Sequence, residues 1–227
     1  MENKNLALKR WQKAIFITKI LSAIPFVRFI AVNGSMVFWK RLKESSDIDF
    51  LIVTKKNRLY TVRFLASTIL FLLRLKRHGR HIAGRACLNR YVTEDNLEMQ
   101  PHHYYYAQVF SAVVPVFDKN NLYSEFQKAN RWMEREFNFK VEVSPFLKET
   151  FNLPITQPEI ASRFQNFWEK ILRKRLGDFI ETLLFAIQKI EIFLKKRKDT
   201  QKGVVRVFNK NGAFYYLEDR FLAEREK

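Results

Sequence analysis

The sequence predicts an α/β (α+β) protein, a small mixed sheet flanked by helices and followed by a helical C-terminal region. Three observations predict it. Short runs rich in β-branched and aromatic residues (26–34, 46–54 and 85–93) alternate with segments of helical period (4–22 and 57–77). A long helical pattern then dominates residues 159–199. Glycine and proline are scarce, at six each in 227 residues, and 47% of the chain is hydrophobic, which excludes a disordered tail.

In residues 4–22, Leu8, Trp11, Ala14, Ile15, Ile17, Ile20 and Leu21 recur three and four apart, the stripe of an amphipathic helix that ends before Pro25. No cleavage site follows at the spacing a signal peptide needs, so a cytoplasmic chain is expected. "FVRFIAVNG" reads as a buried strand ending at a glycine, and "SMVFWKRL" as a short helix opened by Ser35. "SDIDFLIVT" is a strand in which Ile48, Phe50 and Ile52 face one way and Asp47, Asp49, Leu51 and Val53 the other. Residues 57–77 read as a helix, 78–84 as a loop with two glycines, and 85–93 as a third strand.

Residues 102–114 are expected to be helical, "PVFDK" extended, and 121–137 helical. Pro145, Pro154 and Pro158 mark a boundary or a surface excursion; as a boundary it divides the chain into residues 1–140 and 141–227. In 159–199, Phe164, Phe167, Trp168, Ile171, Leu172 and Leu176 follow helical spacing; the pattern resumes at Phe179, and Gly177 is expected to kink or break it. The tail "GVVRVFNKNGAFYYLEDR" reads as two short strands around an "NKNG" turn.

The net charge is +18, with 41 basic residues against 23 acidic, which favours polyanionic partners: nucleic acid, nucleoside triphosphates or anionic lipid. The single cysteine, Cys87, excludes an intrachain disulfide and a cysteine-based zinc site. The densely apolar stretch 64–73 is half the length of about 20 residues that a membrane span needs. It reads as a buried helix, with contact to an anionic membrane surface as the alternative.

Two aspartates at i and i+2 on a strand put both carboxylates on one face, where they repel unless a cation lies between them. Mg²⁺ prefers carboxylate oxygens together with substrate phosphates. Gly34 and Ser35 stand upstream at the end of the preceding strand. A glycine there lets the backbone approach a phosphate, and the next amides and the Ser35 hydroxyl can bind its oxygens.

"FIAVNGS", eleven residues, then "DIDFLIV" resembles the nucleotidyltransferase superfamily that includes DNA polymerase β and the small bacterial nucleotidyltransferases. Their signature is an apolar strand, Gly-Ser, about ten residues, and Asp-x-Asp in a strand, commonly preceded by serine, here Ser46. The resemblance covers residues 26–93. It implies that Gly34 and Ser35, with Ser46, hold the phosphates of a nucleoside triphosphate such as ATP, and that Asp47 and Asp49 ligate Mg²⁺ or Mn²⁺ and carry catalysis. It also implies a third carboxylate on the neighbouring strand. Asn89 stands where that acid is expected, as a possible third metal ligand; Glu94 and Asp95, just beyond, are the alternatives. The loop "MVFWKRLKE" is bulkier and more basic than is usual: Lys40, Arg41 and Lys43 can contact phosphate or simply be solvated, with Phe38 and Trp39 packed in the core.

The resemblance implies transfer of a nucleoside monophosphate to a hydroxyl acceptor, with nucleic acid the acceptor that +18 favours. A catalytically weak module that binds nucleotide or RNA is the alternative that Asn89 leaves open, and a peripheral membrane protein is another. Weaker signals are the loop histidines His78 and His81, the pair His102 and His103, and the run Tyr104, Tyr105 and Tyr106. The cations Arg173, Lys174, Arg175, Lys195, Lys196, Arg197 and Lys198 could track a phosphate backbone.

Overall fold

In the computed structural model, residues 2–38, 42–143, 147, 150–200 and 204–217 are described. The N-terminal helix α1 (Glu2–Ser22) buries Trp11, Ala14, Ile17 and Leu21. Phe26, at φ +70°, turns the chain into strand β1 (Val27–Asn33), every residue of which is buried. A single 3₁₀ turn (Gly34–Met36) follows, then β2 (Ile48–Thr54), helix α2 (Leu59–Leu72) and β3 (Ala86–Thr93). Helix α3 (Tyr104–Ser111), strand β4 (Val114–Asp118), helices α4 (Leu122–Ala129) and α5 (Trp132–Phe137), helices α6 (Glu159–Ile171) and α7 (Arg175–Thr200), and the hairpin β5 (Val204–Asn209) and β6 (Gly212–Leu217) complete the order.

The six strands form one open mixed sheet, ordered β4-β1-β2-β3-β6-β5. Strands β1 and β2 are antiparallel, and β2 and β3 are parallel, joined through α2. Strand alternation divides the core. Ile30, Val32, Phe50, Ile52 and Tyr91 pack with residues of α1 and α2 on one face. Phe29, Ala31, Leu51, Val53 and Val92 pack with Tyr106, Phe110, Phe126 and Trp132 on the other. Asp49 shares the parity of Leu51 and Val53, as the sequence predicts.

Polar side chains tie the C-terminal helices to the sheet. Glu169 of α6 accepts two 2.7 Å hydrogen bonds from the Arg28 guanidinium and one from the Phe26 amide. Gln165, fully buried, donates to the carbonyls of Ser22, Ile24 and Val27 and accepts from Lys119. Helix α2 has no side-chain cap of its own. Glu181 of α7 supplies one from a distance, accepting from the amides of Tyr60 and Thr61 and from the Thr61 hydroxyl.

Several elements differ from expectation. Only the turn Gly34–Met36 forms where a helix over 35–42 was predicted, and residues 39–41 lie outside the described residues. The helix expected over 57–77 stops at Leu72, because Arg74 adopts φ +57° and the amides of Leu75 and Lys76 fold back to the Leu70 carbonyl. The helix expected over 121–137 breaks at Asn130, whose buried amide bonds the Leu97 and Phe126 carbonyls and the Met99 amide. The break between α6 and α7 falls at 172–174, ahead of Gly177. The terminal hairpin extends the sheet beside β3, so segment 141–227 contributes two of its strands. Among the described residues, no helix is long and apolar enough to cross a membrane.

Candidate functional site

Three strand ends converge on Asp49. In the antiparallel register it faces Asn33, the last residue of β1; in the parallel register it faces Cys87 on β3. The chain leaves β1 through Gly34, at φ +70°. A Cβ there would lie 2.5 Å from Asp49 Oδ2, so a glycine is needed both for the backbone conformation and for the close approach. Ser35 follows in the turn, half-buried.

Asp47 lies just before β2. Its Oδ2 accepts a 2.6 Å hydrogen bond from Arg77 Nη1, which also stands 3.6 Å from Cys87 Sγ. Arg77 is held there by its own amide bonding the Ala86 carbonyl. Among the described residues, Asp47, Asp49 and Cys87 form the one group of three potential metal ligands, with their donor atoms within 4.8 Å of one another.

A β-bulge lies between the pairings of Asp49 and Leu51 with β3. It turns Asn89 and Arg90 to the same side. Arg90 lies over the rings of Phe110 and Phe214, while Asn89 Nδ2 donates to Asp49 Oδ1 at 2.9 Å. Asn89 Oδ1 is buried without a hydrogen-bond partner. Asn89 thus sits beside the aspartates, where the sequence places a third ligand. Glu94 and Asp95 do not. They lie past the far end of β3, about 20 Å along the strand, where Glu94 bonds the Lys56 amide and Asp95 pairs with the Lys56 ammonium.

Burial, and then the charge of Asp47, push the Asp49 carboxyl up to about 7, against opposing contributions from a Cys87 hydrogen bond and the Arg77 charge. Burial and the two aspartates also push the Cys87 thiol well above its ordinary range, so it stays protonated beside Asp49. Burial first, and then Cys87 and Asp49 nearby, raise the Tyr215 phenol of β6 as well. Neither Arg77 nor Tyr215 carries a signal in the sequence: Arg77 reads as the end of a helix, and Tyr215 enters only through hairpin docking.

The donor set fits a hard divalent cation in part. Asp47 and Asp49 offer carboxylate oxygens and Asn89 an amide oxygen with no other partner, the ligand types Mg²⁺ and Mn²⁺ take. The protonated Cys87 thiol is the wrong donor for either ion. Burial first and then the Asp47 charge raise the Asp49 carboxyl, and a cation between the two aspartates would relieve the second cause.

The remaining candidates have structural places. Ser46 Oγ accepts from the Lys43 amide and closes the 43–46 turn. His78 and His81 lie in a loop with ring centroids 5.2 Å apart. His102 stacks on Trp132 at 4.0 Å, and His103 caps α3 by accepting from the Tyr105 amide. Tyr104 packs edge-on against Phe139, and Tyr106 is buried. Trp39, Lys40 and Arg41 lie outside the described residues, as do the side chains of Lys195, Lys196, Arg197 and Lys198. No family model, curated protein or solved structure matches the chain.

Proposed function

We propose that this chain has the nucleotidyltransferase fold and moves a nucleoside monophosphate from a nucleoside triphosphate to a hydroxyl acceptor, with Mg²⁺ or Mn²⁺. The observation that carries this is the packing of the Gly34 turn against Asp49, which brings that glycine turn and the carboxylate pair together; such a turn suits a phosphate. The residues that would hold the cation are Asp47 and Asp49; Asn89 turns its amide nitrogen to Asp49 and would offer its oxygen only with the amide reversed. When bound, such a cation stabilises charge on the triphosphate as a Lewis acid.

The chain's own residues do the rest. The turn amides and the Ser35 hydroxyl bind phosphate oxygens, and Gly34 keeps a side chain out of their way. Arg77 holds Asp47 and adds a positive charge beside the phosphates. Asn89 orients Asp49 but accepts no proton, so the acceptor hydroxyl loses its proton to a phosphate oxygen or to water. The surplus of positive charge favours a polyanionic acceptor, nucleic acid first.

The ion pair of Arg77 with Asp47 favours a second function, a nucleotide- or RNA-binding module of the same fold with weak turnover, because an internal cation already neutralises half of the clamp. The purified protein, incubated with α-labelled nucleoside triphosphates, Mn²⁺ and cellular RNA or protein, separates the two. Label transferred to an acceptor supports the enzyme. Nucleotide binding without transfer supports the module.

A further inference from the structure

Helix α6 is amphipathic in reverse, and α7 carries an exposed apolar stripe in addition to Leu184 and Phe185, which it packs inward. On α6 the inward face is polar: Gln165 and Glu169 bind the β1 end of the sheet. Its apolar stripe, Ile160, Phe164, Phe167 and Ile171, steps by four, three and four residues and points to solvent, with Ile160 84% and Phe167 59% exposed. On α7, Glu181 and Gln188 face inward onto Thr61 and the Tyr60 carbonyl, while Phe179, Leu183, Ile187, Ile190 and Leu194 face out. Polar anchoring inward leaves two helix-length apolar surfaces uncovered, more than the scattered apolar residues of an ordinary surface.

Charge decides what covers them. Residues 159–200 contain ten lysines and arginines against six acids, and two of those acids, Glu169 and Glu181, are turned into the protein. Among the described side chains, Glu159, Asp178 and Glu191 remain exposed, but six exposed lysines and arginines outnumber them on a surface that is otherwise apolar and aromatic. Two copies of a +18 chain repel one another across such a face, whereas an anionic lipid surface attracts it. Trp168 is of the type that settles at the headgroup boundary, and Phe164, Phe167 and Phe179 suit the apolar face of an interfacial helix.

We propose that α6 and α7 dock the protein on an anionic bilayer surface, their apolar stripes at the boundary between headgroups and acyl chains and their flanking cations on the headgroups. Residues 64–73, the stretch the sequence offers for such contact, are divided: Ala66 and Leu70 are in the core, while Phe64, Phe71, Leu72 and Leu73 are exposed. This inference does not depend on the chemistry at Asp47 and Asp49.

Flotation with vesicles tests it. Roughly tenfold more full-length protein is expected with phosphatidylcholine–phosphatidylglycerol vesicles than with phosphatidylcholine alone, falling as salt rises. The double variant Phe167→Glu/Phe179→Glu, altered only at exposed positions, is expected to float with neither. Brominated phosphatidylglycerol should quench part of the wild-type tryptophan fluorescence, and Trp168→Phe should abolish that quenching while keeping flotation. Failure of the wild type to float with anionic vesicles overturns the proposal. So does a dimer in sedimentation equilibrium that the double variant abolishes without any vesicle binding, which assigns the face to a second copy.

Discussion

Gly34 and Asp49 are in mutual contact through the one position on β1's exit where no side chain can stand. Any Cβ at Gly34 would meet Asp49 Oδ2 at 2.5 Å, and the backbone there is left-handed. Gly34→Ala is therefore expected to cost about 2 kcal/mol of stability from backbone conformation alone. It should also push Asp49 out of place. Urea denaturation checks the first effect; loss of Mn²⁺-dependent nucleotide binding, well beyond the loss in stability, checks the second.

Asp49 gives the fold a pH dependence of unusual sign. Its carboxyl titrates near 7 in the folded protein against 3.8 ordinarily, so the folded state holds a proton that the unfolded chain releases. Stability contributed by this group is full below about pH 4 and is lost as pH rises through 7, at up to about 1.4 kcal/mol per pH unit. Denaturation midpoints of wild type and Asp49→Asn between pH 5 and 7 test this, on the order of the interval set by that shift. The wild type should lose stability over the interval relative to the variant, and a parallel pair of curves would exclude it.

Arg77 competes with any cation for Asp47, since its guanidinium already holds Oδ2 at 2.6 Å. Arg77→Gln removes a positive charge from the edge of the site and is expected to tighten Mn²⁺ binding several-fold, measured by calorimetric titration. Binding weakened by this substitution would mean that Arg77 organises the aspartates and does not oppose a metal.

Glu169 anchors α6. Burial alone would raise its carboxyl pKa, but the Arg28 and Phe26 hydrogen bonds and the nearby cations outweigh it and hold the group below its ordinary 4.5. The stability it contributes is present above that value and lost as pH falls through the folded one. Glu169→Ala leaves Arg28 buried with only Glu94, 3.9 Å away, and is expected to cost about 3 kcal/mol, read from urea denaturation.

The central strands were legible because their signals are local. The Asp-x-Asp parity on β2 and the glycine at the end of β1 each follow from a few adjacent residues. Asn89 lies beside the aspartates, on the strand where the resemblance implies a third ligand, and its hydrogen bond to Asp49 holds it there. Arg77 was not legible, because its position depends on where α2 ends, and that is fixed by a left-handed Arg74. Tyr215 and the widened sheet depend on which strand edge the hairpin meets, a contact more than a hundred residues distant in sequence. The apolar period of 159–199 correctly indicated helices. Periodicity does not say which side meets the protein, and Gln165 and Glu169 chose the polar one.

The most direct test of the function compares nucleoside triphosphate labelled at the α- and at the γ-phosphate, with Mn²⁺, for wild type and the Asp47→Asn/Asp49→Asn double variant. Nucleotidyl transfer predicts α-label on the acceptor, no γ-label, and neither in the double variant. Transfer of γ-label, or α-label that persists in the double variant, would contradict it.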